Sequence, residues 1–302
     1  MFGICLLHSI GFGPYPRAWA INILSSCVVG FVFISGWFGV DFSVKKLLRL
    51  YGVGLYAAAV FGIMTFMMGD AQDWLSAVEI AYRKLVHGFW FLHAYAVMMI
   101  LSPLVNAALS KTAGGVRDVL PFMLMVWLWG FGRTLPYGDA ILPRTDGLEA
   151  YGGITLTAVY AAARICRLYG IDRIAKTKWL FMLLPLFWIA TGIGLGDYNS
   201  PFAFALAATC FVLFKKIRLP AFLGKGILLI APSMFSVYLI HTNGNGFKFI
   251  KEWGCWMAEA GFGSVGTPVI TAFVIFALAL ILDMPRRLLF AIINRIRGGM
   301  EV

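Results

Sequence analysis

CVVGFVFISGWFGVDFSVKKLLR, residues 27–49, decides the fold. An apolar run reaches the Ser35-Gly36-Trp37 step, and Lys45, Lys46 and Arg49 then open a second apolar run. Just upstream, His8 interrupts another apolar stretch, ICLLHSIG. An ionisable side chain inside a hydrophobic segment is costly and usually functional. Together with the cations at one helix start, it implies a polar site built across a bilayer.

Composition supports the bilayer. The 302 residues are 61% hydrophobic and only 13% charged, about half the charge of an ordinary soluble domain. The 10 Trp, 11 Tyr and 26 Phe suit interfacial belts and an aromatic-lined interior. Cys5, Cys27, Cys166, Cys210 and Cys255 show no metal-ligand spacing, so they read mostly as small buried hydrophobes, and no metal site is expected.

A spanning helix needs about 20 apolar residues. Full-length candidates fall near 18–40, 47–68, 88–108, 148–166, 179–196, 227–242 and 264–283, with shorter ones near 119–135 and 201–214. Residues 1–11 supply about half a span, with no Lys or Arg ahead of them to suggest a signal peptide. The expectation is an all-α, polytopic membrane bundle of about ten transmembrane helices, the first incomplete, forming one integral-membrane domain over residues 1–302.

If the 41–49 loop faces the cytoplasm, alternation places 18 of the 25 Lys and Arg inside and 7 outside. Both ends are then cytoplasmic. The net charge of +11 becomes a topology signal, with no need for nucleic acid as a partner. The same topology puts all four histidines in the outer half and the Lys45/Lys46/Arg49 cluster at the inner face.

His8 has a bland reading, a core imidazole bonded to a carbonyl, and a functional one, a general base working near pH 7. His93 and His241 lie nearer the interface, where imidazole is cheaper, and each is a candidate to line a site. Tyr238 shares a helix face with His241 at i, i+3. Lys46 and Arg49, also i, i+3, read either as positive-inside anchors or as an anion site. Ser35-Gly36 reads as a close-packing step or as a place where a ligand nears the backbone. Most acids sit in loops, with Asp41 and Asp283 at inner helix ends. No phosphate-cradling glycine loop, zinc cluster or serine-hydrolase elbow is present.

The strings LLHS, FVFISGWF, KKLLRLY, FWFLHAYAVMMILSPLVN, NSPFAFALAATCFVLFKKI, APSMFSVYLIHTN and LDMPRRLLF occur in that order. In this order they resemble the acyltransferase family 3 of integral-membrane O-acyltransferases, closest to bacterial capsule and cell-surface polysaccharide O-acetyltransferases. The resemblance implies a ten-helix bundle in the bacterial inner membrane. It implies that acetyl from cytoplasmic acetyl-CoA, a donor substrate and not a resident cofactor, reaches a hydroxyl of a cell-surface sugar or polysaccharide.

The resemblance assigns catalysis to His8, as general base or transient acyl carrier. Its basic Arg-x-x-Arg element falls on Lys46-Leu47-Leu48-Arg49, with Lys45 beside it, as the binder of the CoA phosphates. Lysine at the first position keeps the charge and loses bidentate grip. Ser35, His93, Tyr238 and His241 are the candidates for substrate binding. The family's cation eleven residues before the catalytic histidine would fall at position −3, so an N-terminal truncation is expected. The competing readings are a polysaccharide or lipid-linked sugar transporter and an inactive scaffold of the same fold.

Overall fold

In a computed structural model of the chain, residues 1–110, 120–121, 124–126, 128, 152–174, 176–195 and 200–298 are described. They are helical, with no strand among them. In chain order the helices are α1 (Phe2–Gly11), α2 (Ala18–Phe38), α3 (Val44–Met67), α4 (Trp74–Arg83), α5 (Trp90–Ser110), α6 (Gly153–Leu168), α7 (Ile171–Ile174) and α8 (Thr177–Ala190). There follow α9 (Pro201–Lys216), α10 (Ala221–Ile230), α11 (Met234–His241), α12 (Gly244–Glu259) and α13 (Gly263–Gly298). Two π-helical turns, Lys84–Gly88 and Thr191–Leu195, extend α4 and α8, and a 3₁₀ turn, Ala231–Ser233, joins α10 to α11.

Five stretches are long and apolar enough to cross a membrane: Ala18–Phe38, Val44–Met67, Trp90–Ser110, Ala221–His241 and Gly263–Ile293. Phe2–Gly11 and Lys178–Ile193 are shorter apolar helices. The expected count of about ten is therefore not reached by length and hydropathy among the described residues. The expected span at 119–135 lies mostly outside them. Two boundaries differ instructively. The span expected at 227–242 begins at Ala221, because Pro232 turns the helix through 3₁₀ geometry without ending it. The last helix runs on to Gly298, so Asp283 lies inside it and not at its end.

The chain divides into two compact units. The first comprises Met1–Pro16, Arg49–Phe89 and Leu219–Val302, and the second Arg17–Leu48 and Trp90–Arg218.

In the second unit, α2 packs against α6 and α9, and α5 against α6. Phe33 and Trp37 are buried with Ala163 and Cys166, with Phe204 and Phe211 packed against them. Gly36 permits this. A Cβ there would overlap the Tyr160 carbonyl oxygen and stand 2.7 Å from the Ala163 Cβ. Gly36→Ala is expected to cost about 1–3 kcal/mol through overpacking. This should appear as a lower melting temperature in detergent, and wild-type melting would show that α2 and α6 part without penalty. The helix ends at Gly39, whose φ of 83° suits glycine. Val40 beyond it donates its N–H to the Tyr160 hydroxyl at 3.0 Å. Tyr160 in turn donates to Asn106 Oδ1 at 3.0 Å.

In the first unit, α13 packs against α1, α11 and α12. The buried Arg286 pairs with Asp283 one turn away (Nε–Oδ1 2.5 Å, Nη2–Oδ2 2.7 Å) and also donates to the Pro232 carbonyl at 3.2 Å. Fully buried Asp283 is thus compensated on its own helix. The same guanidinium satisfies a carbonyl at the 3₁₀ break. Helix α4 occupies what in the sequence is a polar stretch between two spans. It starts at the N-cap Asp73, whose carboxylate accepts the Ser76 N–H at 2.7 Å. That bond holds the Asp73 carboxyl below the usual carboxylate range. Helix α4 then runs back along α3, with Trp74 edge-on to Phe66 and Ala77 and Ala81 against Gly62.

Candidate functional site

The first unit brings together three of the residues singled out from sequence: His8, Tyr238 and His241. His8 stands in the last turn of α1 and His241 is the last residue of α11. Their rings meet with His8 Nδ1 and His241 Nε2 3.0 Å apart. The other ring nitrogen of His241, Nδ1, lies 2.7 Å from the Val237 carbonyl oxygen. Tyr238 packs edge-on to His241, with ring centroids 5.9 Å apart.

These contacts fix the tautomers. A carbonyl oxygen only accepts, so the hydrogen of the Val237 contact is on His241 Nδ1. With both rings neutral, His241 Nε2 then carries a lone pair and accepts from His8 Nδ1–H. That leaves His8 Nε2 without a hydrogen, presenting a lone pair. The burial matches this order: His241 is 1% exposed, whereas His8 is only half-buried. One imidazole is held within the protein, and the other is oriented by it and remains reachable. A nucleophile or base whose partner is itself oriented by a third group is an arrangement that proton-transfer catalysis uses.

The segment after His241 is tightly specified. The Asn243 side chain donates to the Ile240 carbonyl and accepts the Gly246 N–H, both at 2.6 Å, closing α11 and opening α12. Gly246 lies so close to the His241 carbonyl that a Cβ would overlap it. Asn245 donates to Thr65 Oγ1 on α3 at 2.9 Å. Phe247, carried into place by this turn, stands edge-on to His8 at 5.4 Å and stacks on Phe12 at 4.1 Å. The hydroxyls of Ser9, Ser236, Thr267 and Thr271, on α1, α11 and α13, are buried without a hydrogen-bond partner. This core therefore keeps unused polar capacity. Lys84 donates to the carbonyl of Thr242, next to His241, at 3.3 Å.

In the sequence the histidines stand out one by one, whereas Asn243, Asn245, Phe247 and Lys84 do not. The dense NGNG turn after YLIHT was the signal for the asparagines. Nothing local distinguishes Lys84 from a topology-setting cation.

The remaining candidates lie elsewhere. In the second unit, Ser35 hydrogen-bonds Tyr95 at 2.9 Å and also donates to the Phe31 carbonyl. His93 is half-buried on the same helix as Tyr95. Lys45, Lys46 and Arg49 are exposed in the first turns of α3. Lys46 Nζ donates to the Asp41 carbonyl at 2.9 Å. Arg49, within the first unit, lies over the Phe290 ring at 5.9 Å, and Arg286 shares that ring at 5.2 Å. Among the described residues no cluster of His, Cys, Asp or Glu is arranged to hold a metal. All five cysteines are free, with Cys5 and Cys166 buried and Cys255 exposed.

A family model described as an acyltransferase domain matches residues 1–284. The chain belongs to acyltransferase family 3. No curated protein and no solved structure matches it. The family and the apolar helices together make this protein a membrane acyltransferase. Acyl transfer to a hydroxyl releases that hydroxyl's proton, which a neighbouring lone pair can take. Within the first unit of this acyltransferase, His8 Nε2 presents a lone pair, its ring held by the bond to His241.

Proposed function

We propose that the protein transfers an acyl group, acetyl in the simplest case, from cytoplasmic acyl-CoA to a hydroxyl of a sugar or polysaccharide on the far side of the bacterial inner membrane. The observation that carries this reading is the His8–His241 hydrogen bond, with His241 Nδ1 anchored on Val237. His8 Nε2 removes the proton from the acceptor hydroxyl as its oxygen bonds to the thioester carbonyl carbon. The resulting tetrahedral centre collapses, the carbon–sulfur bond breaks, and the thiolate recovers the proton from His8. The positive charge on His8 in between is shared with His241 through the Nδ1–H···Nε2 bond. If the acyl group rests first on His8, the same nitrogen carries it.

Lys45, Lys46 and Arg49 are proposed to hold the donor's phosphates. They are exposed cations at one helix start. Charge-assisted hydrogen bonds are worth about 1.5–3 kcal/mol. Replacing both Lys46 and Arg49 with Ala is therefore expected to raise KM for acetyl-CoA at least ~10-fold, with a smaller change in kcat. An unchanged KM would place the phosphates elsewhere. Tyr238 is proposed to bind the acceptor, and Ser35 and His93, in the second unit, are separate candidates for substrate binding.

The test is transfer of labelled acetyl from acetyl-CoA to polysaccharide by purified protein in proteoliposomes. Label in ester linkage on the sugar is expected. Movement of unmodified polysaccharide across the bilayer without label would mark a transporter.

A further inference from the structure

Among the described residues the His8 ring has three aromatic neighbours. His241 stands 5.1 Å away between centroids, Phe247 5.4 Å and Phe12 6.0 Å. The first two are enclosed, His241 fully and Phe247 by half. Phe12 is 47% exposed. Of the rings around the base, it is the one that meets a ligand arriving from outside.

Local geometry fixes its place. Phe12 follows α1 directly and donates its N–H to the His8 carbonyl at 2.9 Å. The two residues are i, i+4, so Phe12 stands one turn beyond the imidazole on the same helix face. Phe247 stacks on one side of the phenyl ring, with centroids 4.1 Å and planes 23° apart. The opposite face is the open one. Close approaches hold the backbone that follows: a Cβ on Gly13 would overlap the Ser9 carbonyl oxygen, and one on Gly254 of α12 would stand 2.9 Å from Pro14 Cδ. The ring is therefore pre-positioned, and little ordering is needed when a ligand lies on it.

An exposed phenylalanine in a membrane protein can simply face lipid or join an interfacial belt. Belts favour Trp and Tyr, whose polar tips reach the headgroups, and Phe12 has no such tip. Lipid gains little from this ring over any other apolar surface. What a phenyl face offers beyond apolarity is its negative quadrupole, which attracts polarised C–H bonds. Sugar ring carbons all carry oxygen, so their C–H bonds are polarised, and a pyranose gathers several of them on one face while hydroxyls project from its rim.

We propose that the open face of Phe12 is an acceptor subsite, on which a pyranose lays its C–H face while a hydroxyl at its rim reaches His8 Nε2. That this hydroxyl is then acylated rests on the acyl-transfer reading above. The stacking does not, and is tested without any transfer.

The probes are methyl β-galactopyranoside and methyl β-glucopyranoside, with galactitol, an open-chain polyol that has no ring face, as the comparison. Each is mixed with full-length protein in a detergent that carries no sugar, and the protein's aromatic protons are saturated in a saturation-transfer NMR experiment. At least one pyranoside is expected to take up signal concentrated on the protons of one ring face, and galactitol to take up none. Phe12→Leu keeps an apolar side chain against Phe247 but has no π-face. It should weaken pyranoside binding about 3–10-fold, the scale of one aromatic contact, whereas Phe12→Tyr should bind like wild type. In transfer assays the Phe12→Leu loss should fall on KM for the acceptor and spare KM for acetyl-CoA. Absence of signal on both pyranosides with the wild type overturns the proposal, as does signal spread evenly over both ring faces. So does undiminished binding by Phe12→Leu with a wild-type sizing profile. The ring-proton pattern is read on the wild type, so it decides even where Phe12→Leu does not fold. Pyranoside stacking without any acyl transfer would overturn only the function proposed above.

Discussion

His8→Ala is expected to lower kcat for acyl transfer by about 10³-fold or more, with the protein still folded and inserted. A positioned general base is worth about 10²–10⁴-fold, and no second group in the described part of the first unit can take over. His241 is 1% exposed, and its Nδ1 is committed to Val237. His87 is exposed on the π-helical turn. The fold should tolerate the change, because His8 is half-buried and its only side-chain hydrogen bond among the described residues is to His241. Melting temperature and sizing profile should therefore stay near wild type while the rate collapses. A wild-type rate in His8→Ala would remove His8 from the chemistry altogether.

His241→Ala is expected to lower kcat by about 10²-fold with little change in KM for either substrate. The effect acts through His8. Without His241 Nε2 as acceptor, His8 no longer has a fixed Nδ1–H tautomer, and its Nε2 lone pair is present only part of the time and in no fixed direction. The imidazolium formed during transfer also loses the group that shares its charge. His241 is then a positioning residue, which differs from the substrate-binding role expected for it from the sequence. The KM-against-kcat split decides between them: loss confined to KM for the acceptor would return His241 to substrate binding.

Much of the fold is legible in the sequence for a plain reason. Long apolar helices announce themselves by length and hydropathy, and α2, α3 and α5 begin and end within a few residues of the expected spans. Helix α8 with its π-helical turn, Thr177–Leu195, lies almost where 179–196 was expected.

Helices α4 and α12 were not legible as elements. They are amphipathic and too polar for a hydropathy window, although Asp73 and Asn243, as N-caps with side chains bonded to Ser76 N and Gly246 N, mark their starts. The 3₁₀ turn at Pro232 was equally hidden. A proline there reads as a boundary, and only the Arg286 guanidinium on its carbonyl shows how the helix continues.

The site was legible residue by residue but not as a pair. His8 and His241 are separated by 233 positions, and no periodicity connects residues that far apart. Their meeting depends on α1 and α11 both packing against α13. Lys84 was hidden by its own plausibility, since a basic residue between two spans already has an explanation in topology.

Whether His8 and His241 act as one unit in acyl transfer is decided by a double-mutant cycle on the transfer rate. Acyl transfer from labelled acetyl-CoA would be measured for His8→Ala, His241→Ala and the double variant, each folded and reconstituted alike. Groups that work as a unit are strongly non-additive. The double variant is expected to be no slower than His8→Ala alone, because His241 contributes only through His8. A double variant slower by the full product of the two single losses would contradict it.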